Sequence, residues 1–277
     1  MNIYIRCKDH SVTQEAFKLM YDPTTEMLIT EPKPNDLDKY YESEAYISHT
    51  DSKKSVMDKI YQYIKHLNIK FKITLINNYT SNNKTLLDVG TGTGDFLVAA
   101  QKKEWAVLGV EPNKNAAEKA SAKNVTVLPT LKSVPDQKFN IITLWHVLEH
   151  LPDLNAQITK LMELLEEKGT LIVAVPNYNS YDAKYYGEYW AAYDVPRHLW
   201  HFSRTSIDRI FREHNMKLIK TRPMLFDAFY VSLLSEKYKN QKSNIIKAIW
   251  VGIRSILYGI RTKEYSSHIY ILKRDKN

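Results

Sequence analysis

Two histidine-containing segments of the sequence have the residue types that acid–base chemistry requires. WHVLEHLPD holds His146 and His150, and DVPRHLWHFS holds Arg197, His198 and His201. An imidazole can take a proton from a nucleophile near neutral pH, and a guanidinium can bind an acidic group through two hydrogen bonds. We predict that His198 and His146 are catalytic bases and that Arg197 binds substrate. His201 is interpreted as structural, because a helix begins just after it with Ser203 as its N-cap.

An aromatic loop, residues 177–203, contains the second of these segments and follows an apolar run at 170–176. Aromatic side chains with polar tips can form the wall of an apolar pocket, so we predict that the loop lies on the acceptor side. A satellite core beneath a long loop is the alternative. The predicted substrate-binding residues of the loop, besides Arg197, are Tyr185, Tyr189, Trp190 and Tyr193.

A glycine-rich turn and a later carboxylate indicate a cofactor that contains adenosine. LLDVGTGTGDF reads as a strand, a turn over Gly90–Gly94 and the start of a helix, and Glu111 ends the next strand. Glycines let the backbone approach a ligand closely, and the carboxylate can accept hydrogen bonds from ribose hydroxyls. Asp88 and Asp95 would repel a pyrophosphate but suit the positive charges of S-adenosylmethionine. An NAD(P)-dependent oxidoreductase is therefore the less favoured alternative.

Strand-like and helix-like segments must position these residues. Continuous apolar runs separated by segments of helical spacing are typical of a parallel sheet that is buried on both faces. We therefore predict a doubly wound α/β fold, with further edge strands at 217–224 and 268–274. The five apolar runs of the central sheet are residues 85–90, 106–111, 125–128, 139–145 and 170–176.

The chain before the sheet has a different character. Apolar runs at 17–21 and 27–30 flank a turn and predict a hairpin, and a segment with helical spacing follows. Residues 1–83 are predicted to be an N-terminal appendage with this hairpin and helix, which could act as a lid. The other predicted parts are a cofactor-binding domain at 84–277, its acceptor-side loop at 177–203 and a helical insertion at about 225–262.

Together these motifs resemble the class I S-adenosylmethionine-dependent methyltransferases. LLDVGTGTGDF, GVEP, ITLWHVLEHLPD and LIVAVPN carry the resemblance over roughly residues 84–215, and the bacterial group related to the quinone-biosynthesis methyltransferases is the most similar. The resemblance implies a Rossmann-like methyltransferase fold with a mainly parallel seven-stranded sheet. It implies S-adenosyl-L-methionine as cofactor and S-adenosyl-L-homocysteine as product. It also implies a structural role for Glu149 and His150, where a helix meets the sheet. The cofactor-binding residues that it implies are Asp88, Gly90, Thr91, Gly92, Glu111, Thr130, Leu131 and Trp145.

The chain differs from the family pattern at two places. Thr91 stands where cysteine or another small residue is usual, and a small polar side chain leaves the cofactor prediction unchanged. Many relatives carry a multi-cysteine zinc motif near the N-terminus, whereas this chain has one cysteine, Cys7; we predict no metal.

Relatives also fold an aromatic segment over the cofactor. The matching candidates for a lid here are Tyr40, Tyr41, Tyr46 and His49.

The segment after the fourth strand favours a small acceptor. Enzymes that methylate amide or nucleobase nitrogens typically carry Asn/Asp-Pro-Pro-aromatic there, whereas this chain has LWHVLEH. Similarity to the O- and C-methylating branch implies a small or lipid-like acceptor, methylated at oxygen, and argues against nucleic acid as a partner. A non-catalytic cofactor-binding module and an RNA methyltransferase remain alternatives, the latter because the formal net charge is +8.

An apolar segment near the C-terminus, residues 244–261, carries Lys247, Arg254 and Arg261 on one helical face. Such a helix can lie on a membrane surface, but more often packs on its own domain or on the second subunit of a homodimer. One cysteine, no secretory signal and no apolar run of membrane-spanning length predict a cytoplasmic protein.

Overall fold

The computed structural model describes residues 1–34, 36–40, 56–80, 83–242 and 244–275, and of residues 38 and 56–64 it describes the backbone. The strands in this part of the chain are β1 (Asn2–Lys8), β2 (Ala16–Asp22), β3 (Met27–Glu31), β4 (Thr85–Val89), β5 (Ala106–Val110), β6 (Val127–Leu128), β7 (Phe139–Trp145), β8 (Leu165–Pro176), β9 (Trp200–His201), β10 (Met216–Pro223) and β11 (Ser267–Arg274). The α-helices are α1 (Val56–Asn77), α2 (Asp95–Gln101), α3 (Lys114–Ser121), α4 (Leu154–Leu164), α5 (Tyr181–Tyr186), α6 (Arg204–Arg212), α7 (Asp227–Asn240) and α8 (Ile245–Thr262).

The larger sheet has seven strands in the order β10-β11-β8-β7-β4-β5-β6. β4 pairs in parallel with β5 and β7, and β5 pairs in parallel with β6. β7 and the second half of β8 are buried almost throughout, because helices cover both faces of such a sheet. The predicted α/β fold, its five apolar runs and its two later strands are therefore confirmed, but of these two later strands only β10 lies at an edge, because β11 lies between β10 and β8.

The smaller sheet has four strands in the order β1-β2-β3-β9, with antiparallel pairing throughout. The predicted hairpin is confirmed as β2 and β3, whose turn begins where the Asp22 carboxylate accepts a hydrogen bond from the Thr24 amide at 3.0 Å. β9 was not predicted. It places His201 opposite Leu28, and so brings the DVPRHLWHFS segment into the N-terminal sheet.

Two compact units make up the chain, and each contains several chain segments. The first, Met1–Ser43, His146–Pro152 and Ala174–Tyr270, includes the smaller sheet and α5 to α8. The second, Glu44–Trp145, Asp153–Val173 and Ile271–Asn277, includes β4 to β7 and α1 to α4. The division of the chain near residue 83 stays a prediction.

The core of the first unit is rich in aromatic side chains. Trp190 is 2% exposed, and its Nε1 donates to Asp182 Oδ2 at 2.7 Å. The same carboxylate accepts hydrogen bonds from the hydroxyls of Ser255, on α8, and Ser266. A buried carboxylate with three donors is well satisfied, so Asp182 fixes α5 and α8 in place.

The predicted helical insertion is confirmed as α7 and α8. α8 packs through small residues, and a Cβ added to Gly252 would lie 2.5 Å from Phe229 Cδ1. Its buried residues are Ala248, Val251, Gly252, Ser255 and Gly259. Among the helices that the structure describes, none combines the length and the apolar content that crossing a membrane requires.

Candidate functional site

The turn after β4 depends on glycines in the left-handed backbone region. Gly90, Gly92 and Gly94 have φ angles of 73°, 56° and 79°. A Cβ added to Gly94 would lie 2.8 Å from Ala120 Cβ, whereas one added to Gly92 meets nothing within 4 Å. Packing therefore requires Gly94, and the Gly92 position presents open backbone against which a ligand can lie.

Glu111, at the end of β5, binds this turn. Its Oε2 accepts a hydrogen bond from the Gly92 amide at 2.8 Å, and its Oε1 accepts one from the Asn113 amide at 2.9 Å. The structure thus brings together the glycine turn and the acid that the sequence analysis combined. Ribose binding by Glu111 stays a prediction.

Asp88 is 2% exposed at the end of β4. It accepts hydrogen bonds from Thr143 Oγ1 at 2.6 Å and from Thr91 Oγ1 at 2.9 Å. Burial raises the pKa of Asp88 to about 6, although these hydrogen bonds and the charge of Lys72 oppose the change. Threonine at position 91 therefore has a specific function, since its hydroxyl satisfies a buried carboxylate.

Asp95 is neutralised by two lysines. Lys65 Nζ and Lys123 Nζ each lie 2.6 Å from one of its two oxygens. The repulsion of a pyrophosphate that we expected from Asp95 is consequently much weaker than its charge suggests. The charge argument against a dinucleotide depends on Asp88 instead.

Trp145, at the end of β7, is half-buried. Its ring meets Phe96 edge to face, with centroids 6.0 Å apart, and Lys72 Nζ lies 4.4 Å from its ring centroid. Its Nε1 is buried and has no hydrogen-bond partner among the described residues. A buried donor of this kind favours a ligand that supplies the acceptor.

The other two predicted cofactor residues follow β6. Thr130 is exposed, and its hydroxyl shares a 2.9 Å hydrogen bond with Ser133 Oγ. Leu131 is 5% exposed and belongs to the core. Their proximity to adenine stays a prediction.

His146 in the first unit lies between two carboxylates. Its Nε2 is 3.0 Å from Asp227 Oδ2, and its Nδ1 is 3.4 Å from Glu149 Oε1. Burial alone would lower the pKa of His146, but Asp227 and Glu149 raise it to about 10. In this state the imidazole is protonated at neutral pH and has no lone pair for a proton. Its role as a base stays a prediction, which this arrangement does not favour.

Glu149, His150 and His198 form a cluster, in which one potential ligand atom of each residue lies within 4.8 Å of the others; Glu149 and His198 are buried and His150 is half-buried. Glu149 is 1% exposed, and neither of its oxygens has a hydrogen-bond partner in the described part of the chain. His150 Nδ1 lies 3.1 Å from the Arg197 carbonyl, and His198 Nδ1 lies 2.9 Å from the Ala192 carbonyl. Because a carbonyl only accepts, both Nδ1 atoms carry the proton. The base role of His198 stays a prediction.

Arg197 is 2% exposed and bound to its own chain. It donates to Asp194 at 2.6 Å, to Asp9 Oδ1 at 3.0 Å and to the Tyr40 carbonyl at 2.9 Å. Burial opposes ionisation of Asp9, but the Thr13 amide and Arg197 lower the pKa of that carboxyl to about 2. Substrate binding by Arg197 stays a prediction, and these contacts do not favour it.

The four aromatic substrate candidates fall into two groups. Trp190 and Tyr193 are buried in the core of the first unit, as the alternative interpretation of the loop expected. Tyr185 and Tyr189 are half-buried. The ring centroid of Tyr185 lies 6.0 Å from that of Trp250, and the ring centroid of Tyr189 lies 5.3 Å from that of His10. Acceptor binding by any of the four stays a prediction.

The end of the loop is structural, as predicted. Ser203 caps α6 with a reciprocal capping box, and His201 Nε2 lies 2.9 Å from Thr30 Oγ1. Of the predicted lid residues, Tyr40 is buried, and its hydroxyl donates to Glu15. The remaining lid candidates, Tyr41, Tyr46 and His49, lie outside the described residues.

Residues 46–221 match the family model described as "Methyltransferase domain". No curated protein sequence matches the chain. Magnesium protoporphyrin IX methyltransferase from Synechocystis PCC 6803, solved with bound SAH, is similar in structure at 14% identity and a TM-score of 0.56, covering 85% of this chain and 97% of that chain.

Two further solved structures are similar. A possible histamine N-methyltransferase from Thermotoga maritima has 17% identity and a TM-score of 0.52, covering 78% of this chain and 96% of that chain. Mycolic acid cyclopropane synthase CmaA1, complexed with SAH and CTAB, has 14% identity and a TM-score of 0.52, covering 73% of this chain and 83% of that chain. At these identities the likeness concerns the fold.

Proposed function

Because the chain belongs to the methyltransferase domain family, we propose that it methylates an oxygen of a small, lipid-like molecule. S-adenosylmethionine is the methyl donor and S-adenosylhomocysteine the product. The observation that carries the proposal is the hydrogen bond between Glu111 and the Gly92 amide, since it joins the two cofactor elements in one unit. Membership of the quinone-biosynthesis group stays a prediction.

The residues of the second unit fit this cofactor. The open backbone at Gly92 leaves space for it, and the buried Trp145 Nε1 offers an unused donor. We assign the ribose hydroxyls to Glu111 and the positively charged methionine end to Asp88, because carboxylates accept hydrogen bonds and attract cations. Thr91 supports this arrangement indirectly, through its hydrogen bond to Asp88.

Methyl transfer to oxygen requires alignment of the acceptor and a destination for its proton. The carbon–sulfur bond breaks as the carbon–oxygen bond forms, and the acceptor proton passes to a base. His146 and His198 remain the residues that we propose for this step. His146 would first have to release the proton that Asp227 and Glu149 hold on it.

The surface of α8 supports a lipid-like acceptor. Its side chains opposite the packed face are apolar and exposed, with Ile246 83% exposed and Ile253 47% exposed. Arg254 and Arg261 are exposed at the margin of this face. We propose that α8 lies on an anionic membrane surface, where a lipid-like acceptor would be found. A cytoplasmic location is part of the same proposal.

Calorimetry with S-adenosylhomocysteine tests the proposed cofactor site. The wild type is expected to bind, and Glu111→Ala is expected to bind at least about tenfold more weakly, because each lost hydrogen bond contributes about 0.5–1.5 kcal/mol. Glu104→Ala is the matched control, since this carboxylate of the same unit is 90% exposed. No binding by the wild type, equal binding by Glu111→Ala, or tighter binding of NAD would contradict the proposal.

A radiolabel experiment tests the acceptor class. Protein given methyl-labelled S-adenosylmethionine with a total lipid extract is expected to transfer label to the organic phase. Label that appears only with the aqueous extract would contradict a lipid-like acceptor. Label that appears only with RNA would support the RNA methyltransferase alternative.

A further inference from the structure

We propose that Glu149, His150 and His198 form a binding site for a divalent transition-metal ion of the zinc type. This inference goes beyond the proposed function and does not depend on it, although a His198 imidazole that coordinates an ion through Nε2 cannot also serve as the base, which would leave His146 for that step. It also reverses the absence of metal that we predicted from the sequence, where His150 and His198 are far apart. The fold brings them together with Glu149, with one potential ligand atom of each within 4.8 Å of the others.

The first argument is the state of the Glu149 carboxylate. It is 1% exposed, and neither oxygen has a hydrogen-bond partner among the described residues. Taking a carboxylate out of water costs several kcal/mol unless hydrogen bonds or a cation compensate it. His146 Nδ1 lies 3.4 Å away, but this imidazole is closer to Asp227, at 3.0 Å. The protonated His146 imidazole therefore offsets the charge of Glu149 in part, but both Glu149 oxygens lack a hydrogen bond from the described residues and can coordinate a cation.

Arg197 does not provide the missing positive charge. Its guanidinium forms ion pairs with Asp194 at 2.6 Å and with Asp9 at 3.0 Å. Two carboxylates already face this one cation. Arg197 is therefore not available as a further cation for Glu149. A metal ion bound by Glu149 would supply one.

The second argument is the orientation of the two imidazoles. His150 Nδ1 donates to the Arg197 carbonyl, and His198 Nδ1 donates to the Ala192 carbonyl. Histidines that coordinate metals commonly donate their other ring N–H to a carbonyl or carboxylate, which fixes the tautomer and the ring orientation. We therefore assign Nε2 as the coordinating atom in both residues; that of His198 also lies 3.9 Å from Asp194 Oδ2.

Two imidazoles and one carboxylate are the donor set of many three-ligand zinc sites, which keep a fourth position open. Such a set prefers Zn²⁺ or Co²⁺ to Mg²⁺ or Ca²⁺, which prefer oxygen donors. Ligands about 2.1 Å from a tetrahedral ion lie about 3.4 Å from one another. Binding therefore requires the three side chains to approach by roughly 1 Å, which rotations about side-chain bonds can supply.

Titration of tag-free protein with Co²⁺, followed by visible absorption, and Zn²⁺ uptake measured by elemental analysis test the site. We expect one equivalent of either ion and competition between them, with no comparable binding of Mg²⁺. Glu149→Gln and His198→Asn should each weaken Zn²⁺ binding by at least about tenfold. His268→Gln is the matched control, because His268 is also a buried histidine of the first unit, and its Nε2 contacts the Lys263 carbonyl.

Three outcomes would overturn the site: no uptake of Zn²⁺ or Co²⁺ by the wild type, wild-type affinity in both variants, or equal loss in His268→Gln. If the variants do not fold, imidazole NMR of the wild type decides, because Zn²⁺ should shift the signals of His150 and His198 and leave that of His268 unchanged. S-adenosylhomocysteine binding measured on the same samples separates this test from that of the proposed function.

Discussion

Asp88 and Glu149 are both buried carboxylates, but their surroundings differ. Asp88 accepts hydrogen bonds from two threonine hydroxyls, whereas Glu149 accepts none from the described residues. Burial raises the pKa of Asp88, whereas the pKa of Glu149 is lowered, because three nearby imidazoles outweigh its burial. We propose a different ligand for each carboxylate: the cationic end of the cofactor for Asp88 and a metal ion for Glu149.

Asp88 is expected to make the stability of the unliganded protein depend on pH. Its pKa is about 6 in the folded chain against 3.8 ordinarily, so folding favours the neutral acid. The resulting stabilisation is complete below pH 3.8 and is lost as the pH rises through 6, a change of at most about 3 kcal/mol. Asp88→Asn should therefore increase the free energy of unfolding more at pH 8 than at pH 4, while weakening S-adenosylhomocysteine binding.

Urea unfolding at the two pH values measures this change. Asp136→Asn is the control, because Asp136 is an exposed acid of the same unit. An equal effect of Asp88→Asn at both pH values, or unchanged binding of S-adenosylhomocysteine, would contradict the role assigned to Asp88.

At the scale of elements, α8 has two apolar faces, one buried and one exposed. One face packs through small residues onto the first unit. At 3.6 residues per turn, the opposite face carries the exposed apolar residues, with Lys247, Arg254 and Arg261 along one flank. These exposed residues are Ile245, Ile246, Ile249, Trp250, Ile253, Leu257 and Ile260. A second copy of the chain would bring an equally basic surface against these cations, so an anionic membrane is the better complement.

Vesicle co-sedimentation tests this surface. We expect the wild type to bind vesicles of phosphatidylglycerol more strongly than vesicles of phosphatidylcholine, and less strongly as salt is raised. Ile249→Ser with Ile253→Ser should lower binding at least tenfold, since burying one such side chain contributes about 1.5–3 kcal/mol. Ile219→Ser is the control, because Ile219 is 50% exposed on β10.

Binding to neither vesicle type would contradict a membrane contact. A dimer in solution that dissociates in the Ile249→Ser/Ile253→Ser variant would instead identify this face as an interface between copies of the chain.

At the scale of the whole molecule, a few contacts connect distant segments of the chain. Arg197 joins Asp9, Tyr40 and Asp194 within the first unit. Arg197→Met should lower the free energy of unfolding by about 3–5 kcal/mol, because it leaves buried carboxylates without their cation. Arg209→Met should cost less than about 1 kcal/mol, although Arg209 lies 2.6 Å from Glu26, because its side chain is 42% exposed.

Denaturant unfolding followed by tryptophan fluorescence compares the two arginine variants. Equal losses of stability would show that the buried ion pairs of Arg197 contribute no more to stability than the exposed ion pair of Arg209. A loss confined to the region around Arg197, with the global transition unchanged, would show that the ion pair acts locally.

The sequence by itself was sufficient for the sheet, the glycine turn and the acid that follows it. The strands of the sheet are buried on both faces, so their residues form continuous apolar runs in the sequence. Gly92 and Glu111 belong to one strand–helix–strand segment, in which the chain itself determines where the second strand ends. Ser203 and α6 were predictable for the same reason, since a helix cap depends on neighbouring residues.

Only the tertiary structure decided the charges and partners of the side chains. The charge of Asp95 depends on Lys65 and Lys123, and that of His146 depends on Asp227, on a helix far along the chain. His198 lies beside Glu149 because the neighbouring Leu199 amide donates to the Glu149 carbonyl at 2.8 Å. Hydrogen bonds and ion pairs act over a few ångströms in space, and separation along the chain does not specify such distances. The sequence therefore predicted which residues have functional side chains, and the fold determined which of those side chains contact one another.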